Sequence, residues 1–166
     1  MLSDGIQIRR AMPRDCDIIL HHRRFMFRDM GNGTDAELDA MAAATRPWLL
    51  QALANDSYRG WLAETGDGRI IAGGGILISS WPARPEDPNT RRALILNVYT
   101  EPSFRRGLAR ELMLLMISWL RDQGFQGVVL HASAEGRPLY ESLDSRPPTR
   151  CVFVWSDLGP GLFCQC

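Results

Sequence analysis

The sequence carries no surplus of either charge: nineteen Lys plus Arg are matched by nineteen Asp plus Glu. Global charge therefore gives no pull towards nucleic acid or an anionic membrane surface, and the basic residues are scattered in pairs rather than gathered into a stripe. Thiols and imidazoles are scarce as well. The four cysteines, at positions 16, 151, 164 and 166, contain no C-x-x-C, and His21, His22 and His131 are the only histidines. That spacing argues against a zinc centre and leaves reduced thiols, no metal and a cytoplasmic setting as the expectation. The longest apolar run, LMLLMISWL at 112–120, is too short to span a bilayer, and the opening MLSDGIQIRR has no apolar leader core. Neither G-K-[ST] nor G-x-G-x-x-G is present, which removes P-loop and dinucleotide-fingerprint readings. Repeats, low-complexity segments and linkers are absent too, so residues 1–166 are expected to form a single domain without nucleic-acid or membrane partners.

What is there is a regular alternation of periodicities. GIQIRRA at 5–11 alternates as a strand does, and Pro13 opens a helical stretch with Ile18, His22, Phe25 and Met26 on one face. After the turn at 31–33, Thr34 and Glu37 have the spacing of a capping box for a second helix. Pro47 is expected to interrupt that helix, with WLLQALAN forming a further short one. Two strands, 58–65 and 69–80, read as a hairpin about 66-GDG-68, and the Gly73-Gly74-Gly75 run suggests a bulge or a close backbone approach. The proline-rich 81–90 is a loop, and 93–100 (ALILNVYT) is a buried strand. A long amphipathic helix follows from near Gly107 to 124, with Leu114 alone intruding on its polar stripe. A strand at 127–132, a short helix at 135–143 and a closing strand at 150–155 complete the order β-α-α-β-β-β-α-β-α-β. An antiparallel meander feeding a β-α-β crossover predicts an α+β fold, a central mixed, mostly antiparallel sheet with helices on both faces.

The passage from strand through EPSFRRG into helix has its own chemistry. A helix N-terminus presents unpaired N–H groups and a partial positive charge, which suit phosphate. Gly107 would allow close approach, small Ala109 keeps the first turn open, and Arg105 and Arg106 add forked donors. The same residues also fit a plain strand–helix corner with two solvated arginines.

The chain resembles the GNAT superfamily of acetyl-CoA-dependent N-acetyltransferases over nearly its full length. The likeness is strongest in LILNVYTEPSFRRGLARELM (94–113) and VVLHASAEGRPLYESL (128–143). It implies a GNAT-like fold whose β-α-β core binds acetyl-CoA as acyl donor. The pyrophosphate would lie on the loop and helix start, at Arg105, Arg106, Gly107, Leu108, Ala109 and Arg110. The pantetheine arm would lie between the strands 94–100 and 127–132, against the backbone of Asn97, Val98 and Tyr99, with Ser133 and Gly136 lining the coenzyme. An N–H near Val98 would polarise the acetyl carbonyl. Tyr140 matches the tyrosine that protonates the departing thiolate in many members, the other reading being a packed ring with a solvated hydroxyl. Two departures stand out: Phe104 falls where the family's pyrophosphate signature begins with Gln or Arg, and the loop is one residue short. After Tyr140, Leu143-Asp144-Ser145 replaces the usual Leu-Gly-Phe.

The implied activity is acetyl transfer to a primary amine of a small molecule or peptide by direct attack, with a non-catalytic acyl-CoA sensor as the alternative. No carboxylate lies within 93–100. Glu101 reads chiefly as a loop or cap carboxylate, and His131 either serves as base through a water or, the favoured reading, is a buried, satisfied histidine, which leaves a water chain as the default for proton removal. The acceptor side would be built from 25–40 and 81–90, where Asp29 or Asp35 could meet a cationic amine, or FRDMGNGTD is an ordinary helix–helix turn. Homodimers are common in the family.

Overall fold

The computed structural model describes residues 5–85, 88–105, 107–131, 133, 135–143 and 152–155, with backbone alone for 141 and 152–155. Alternation in IQIRR yields strand β1 (Ile6–Arg10), after which Pro13 starts a single 3-10 turn. Helix α1 (Cys16–Asp29) follows. Its buried stripe is Cys16, Ile19, Leu20 and His22, whereas Ile18, Phe25 and Met26 are half-buried, so the inward face is rotated from the one the sequence pattern predicts.

Helix α2 (Asp35–Ala54) begins on the expected capping box: Thr34 Oγ1 accepts from the Glu37 N–H at 3.4 Å, and the Thr34 N–H donates to Glu37 Oε2 at 2.7 Å. It then runs unbroken through Pro47, contrary to the expectation of two helices. Proline removes one hydrogen bond and crowds the preceding turn. Beyond it, however, Leu49, Ala52 and Leu53 are all buried, and each large apolar side chain contributes about 1.5–3 kcal/mol. Packing holds the last turns helical against the local preference.

Strands β2 (Tyr58–Thr65), β3 (Ile70–Ser80) and β4 (Arg91–Thr100) form the antiparallel meander. Helix α3 (Leu108–Asp122) crosses over to β5 (Val128–His131), which pairs parallel with β4. Helix α4 (Arg137–Leu143) leads to β6 (Val152–Trp155), parallel to β5. Among the described residues these six strands form one sheet in chain order, β1-β2-β3-β4-β5-β6, with three antiparallel and two parallel pairings.

Two apolar layers flank it. On one face Leu112, Met113 and Met116 of α3, fully buried, pack with Ile71, Ile76, Ile95 and Leu130. On the other, Cys16, Ile19 and Leu20 of α1 and Leu49 and Leu53 of α2 pack with Tyr58 and Leu62. On α3, Leu114 is the exposed intruder on the polar face, as expected. The turn after Leu143 and the residues that follow Trp155, including Cys164 and Cys166, lie outside the described residues.

Candidate active site

The site is made by two irregularities in β4. First, β4 pairs with β5 at only two positions, Leu94 with Val129 and Ile95 with Leu130. From Leu96 to Thr100 it is held by β3 alone, so among the described residues its other edge is open backbone. Second, the β3–β4 register skips between Gly73 and Gly75: Gly73 faces Tyr99 and Gly75 faces Leu96, leaving Asn97 and Val98 opposite Gly74. Asn97 takes a left-handed φ of 58°, a conformation that asparagine tolerates better than most residues. The bulge foreseen in the glycine run is therefore real, with its extra residue on β4.

The bulge re-aims side chains. Leu96 packs in the α1–α2 layer, and Asn97, its immediate neighbour, points to the same side. Val98 then turns to the α3 layer and Tyr99 back to α1, where its ring lies 5.2 Å from that of His22. Asn97 is buried. Its Nδ2 donates to Tyr58 Oη at 3.2 Å, and its Oδ1 accepts from Arg23 Nη1 at 2.7 Å. Burial pushes the Tyr58 phenol up to about 12, so it stays protonated.

Beyond β4, a 3-10 turn (Pro102–Phe104) leads to the start of α3. Gly107, at the N-cap, has φ of 90°, and a Cβ there would meet nothing within 4 Å. The glycine thus serves the left-handed backbone beside open space. Among the described residues no side chain caps the helix, and the first helical N–H to find a backbone acceptor is that of Arg110, on Gly107. The N–H groups of Leu108 and Ala109 have no such acceptor among them. Phe104, where the resemblance expects Arg or Gln, packs half-buried against the α3-side core. Arg105 turns away from the helix start: Nε donates to the Thr100 carbonyl at 3.2 Å, and Nη2 pairs with Asp29 Oδ2 at 2.7 Å. Arg110 is exposed, and Arg106 lies outside the described residues.

At the far end of the crossover, Ser133 Oγ accepts from the Gly136 N–H at 3.1 Å, a local cap beside α4. Tyr140 is buried in the α3-side core, yet among the described residues its hydroxyl has no hydrogen-bond partner. Desolvation raises its pKa, which keeps the proton on. A Cβ at Gly136 would sit 3.0 Å from Tyr140 Cε2, so the glycine makes room for the ring.

Other candidates are corrected. His131 is exposed, not buried, because Val128 and Leu130 take the inward face of the short β5. Glu101 pairs with Arg69, as a loop carboxylate would. Asp29 is held by Arg105, and Asp35 shares Arg24 with Asp39, so both acidic residues considered for a cationic acceptor are already neutralised. Among the described residues no group of three His, Cys, Asp or Glu side chains is placed to hold a metal ion, and no helix is long and apolar enough to cross a membrane.

The sequence pattern put His22 on the apolar face of α1 but did not reveal the Tyr58–Asn97–Arg23 chain. A signal existed: Cys16, Ile19, Leu20 and Arg23 are spaced i, i+3, i+4, i+7, which places a cation on the apolar stripe. His22 is 1% exposed with neither ring nitrogen hydrogen-bonded among the described residues. Burial, then neighbouring His21, brings its pKa down to about 4. The unfolded chain, titrating near 6.5, binds the proton first, so this group's stabilisation is complete above pH 6.5 and is lost as pH falls towards 4. The expected loss is about 3 kcal/mol. Thermal unfolding of wild type and His22→Phe across that window checks this; equal slopes would refute it.

The model of the acetyltransferase (GNAT) family matches residues 20–144. The chain belongs to this family. Among solved structures, a GCN5-related N-acetyltransferase from Ralstonia eutropha JMP134 is 36% identical, with 90% of this chain and 97% of that one covered and a TM-score of 0.79. A predicted acetyltransferase with acetyl-CoA from Clostridium acetobutylicum is 23% identical over 89% and 94%, TM-score 0.76, and supports the fold. Glucosamine-6-phosphate N-acetyltransferase from Arabidopsis thaliana, 19% identical over 84% and 90% with a TM-score of 0.54, likewise shares the GNAT fold. No curated protein matches the chain. The open edge of β4, the bulge at Asn97 and the uncapped start of α3 are thus features of a GNAT acetyltransferase.

Proposed function

We propose that the protein is a cytoplasmic N-acetyltransferase that moves acetyl from acetyl-CoA to an amine by direct attack. The observation that carries this is the parting of β4 from β5 after Ile95 and Leu130, beside a helix start whose first N–H groups have no acceptor among the described residues. An extended thioester arm can pair with the open β4 edge while its pyrophosphate meets the Leu108 and Ala109 N–H groups. Backbone at Asn97 and Val98, released from the β3 ladder by the bulge, is available to the acetyl carbonyl, and a donor there would stabilise the tetrahedral oxyanion. Tyr140 would protonate the thiolate as it leaves. Arg105 contributes by bracing the loop against Asp29 rather than by gripping phosphate.

The test is thiol release from acetyl-CoA with a panel of amines. Turnover with at least one amine is expected, along with a rise in melting temperature on adding coenzyme A. Coenzyme binding without turnover across the panel would replace this reading with that of an acyl-CoA sensor.

A further inference from the structure

We infer that Arg23 receives an anionic group of the acceptor, so that the amine acetylated by this protein also carries a carboxylate or a phosphate a few bonds away. The inference rests on the N-acetyltransferase reading above and deepens it. All nineteen basic residues are arginines, so residue type says nothing; the partners do. Arg9, Arg10, Arg24, Arg46, Arg69 and Arg105 each sit against at least one carboxylate. Among the described residues Arg23 has none. Its one hydrogen bond there is from Nη1 to Asn97 Oδ1; Nε is buried without an acceptor among them, and Nη2 has none either and is not sealed from solvent. The Phe27 ring, 4.9 Å from Cζ, backs the guanidinium. A half-buried cation with no counter-charge among the described residues carries a desolvation cost that a ligand oxyanion would offset.

Position gives this charge a use. Nη1 is anchored on the bulge residue of β4, beside the strand edge where the reacting carbonyl would lie. It stands on the α1 side of the sheet, opposite the layer of α3 whose N-terminus would take the coenzyme phosphates. An oxyanion on Nη2 is therefore within one small molecule, or one chain terminus, of the attacking amine. Of the two carboxylates considered for a cationic acceptor, Asp29 is paired with Arg105 and Asp35 with Arg24. Arg23 thus favours an amine with a negative tail.

The experiment compares acceptors of equal length: ω-amino carboxylates and aminoalkyl phosphates against plain alkylamines, with wild type, Arg23→Gln and Arg23→Lys. Wild type should show a KM at least about tenfold lower for the anionic members, and the carboxylate and phosphate arms tell which oxyanion fits. Arg23→Gln should raise the anionic KM by about 30- to 100-fold and bring the ratio of anionic to neutral KM towards one, with Arg23→Lys partly restoring it. A merely structural arginine would raise both classes alike. Equal KM values for charged and uncharged amines in wild type, a comparison that needs no variant to fold, would overturn the inference alone. Absence of turnover with every amine would remove the N-acetyltransferase reading and the inference with it.

Discussion

Tyr140→Phe should lower kcat/KM by about a hundredfold, with coenzyme A still raising the melting temperature as in wild type. The argument starts from the hydroxyl. It has no hydrogen-bond partner among the described residues, so its removal leaves no buried donor or acceptor stranded and the ring keeps its place beside Gly136. Burial holds the phenol protonated, as an acid must be before it acts. A thiolate leaving with an ordinary pKa near 8.5 accepts a proton from a phenol only when the two are held together in a dry site, and general acids so placed contribute roughly 10²–10⁴-fold. A hundredfold loss is about 2.7 kcal/mol of transition-state stabilisation. Steady-state kinetics and thermal shift on the same two samples separate chemistry from folding. A change in kcat/KM below threefold would remove Tyr140 from the mechanism.

Gly75→Ala should be the most damaging single-atom addition to the fold. A Cβ at this position would land on Tyr58 Cζ and Oη, with Cε2 at 2.7 Å. The ring cannot yield easily, since Tyr58 is 1% exposed and enclosed by the α1–α2 layer. Overpacking of a close-packed interior costs typically 1–3 kcal/mol, and the upper end or somewhat more is expected here, about 3 kcal/mol. Any shift of the ring also breaks its bond with Asn97, so the bulge is disturbed along with stability. Chemical denaturation measures the loss, and the double substitution with Tyr58→Leu should be less destabilised than the two single effects added together. Additivity within about 0.5 kcal/mol would show that the clash is not the cause.

The order of elements could be read from periodicity, turn residues and the Thr34 cap because those signals are local. Pro47 could not be read correctly: its cost is local, whereas the burial of Leu49, Ala52 and Leu53 that outweighs it is tertiary. The glycine run announced a bulge but not its place, since the extra residue lies across the ladder at Asn97. Arg105 and Arg106 both looked available for phosphate in the sequence; only the fold brings Asp29 within 2.7 Å of Arg105, seventy-six positions away. The role of Arg23 was not legible in the sequence, because the Asn97 that holds it lies seventy-four positions away. Tyr140 was singled out by family resemblance alone, whereas its lack of a hydrogen-bond partner among the described residues is a property of the fold.

The sheet runs in chain order, but the connections between its strands differ widely in length. The β2–β3 hairpin closes over residues 66–69, whereas the β4–β5 crossover spans 101–127. Loop-closure entropy makes the longer connection roughly 1.7 kcal/mol costlier, and among the described residues two backbone register pairs lie at its end to offset that. The attachment of β5 therefore depends on apolar adhesion through Leu112, Met113 and Met116 more than on its ladder. Hydrophobic contact is non-directional, so it can hold the two strands in one body without drawing their edges together. The gap beside Asn97 is thus supported from behind by the helix.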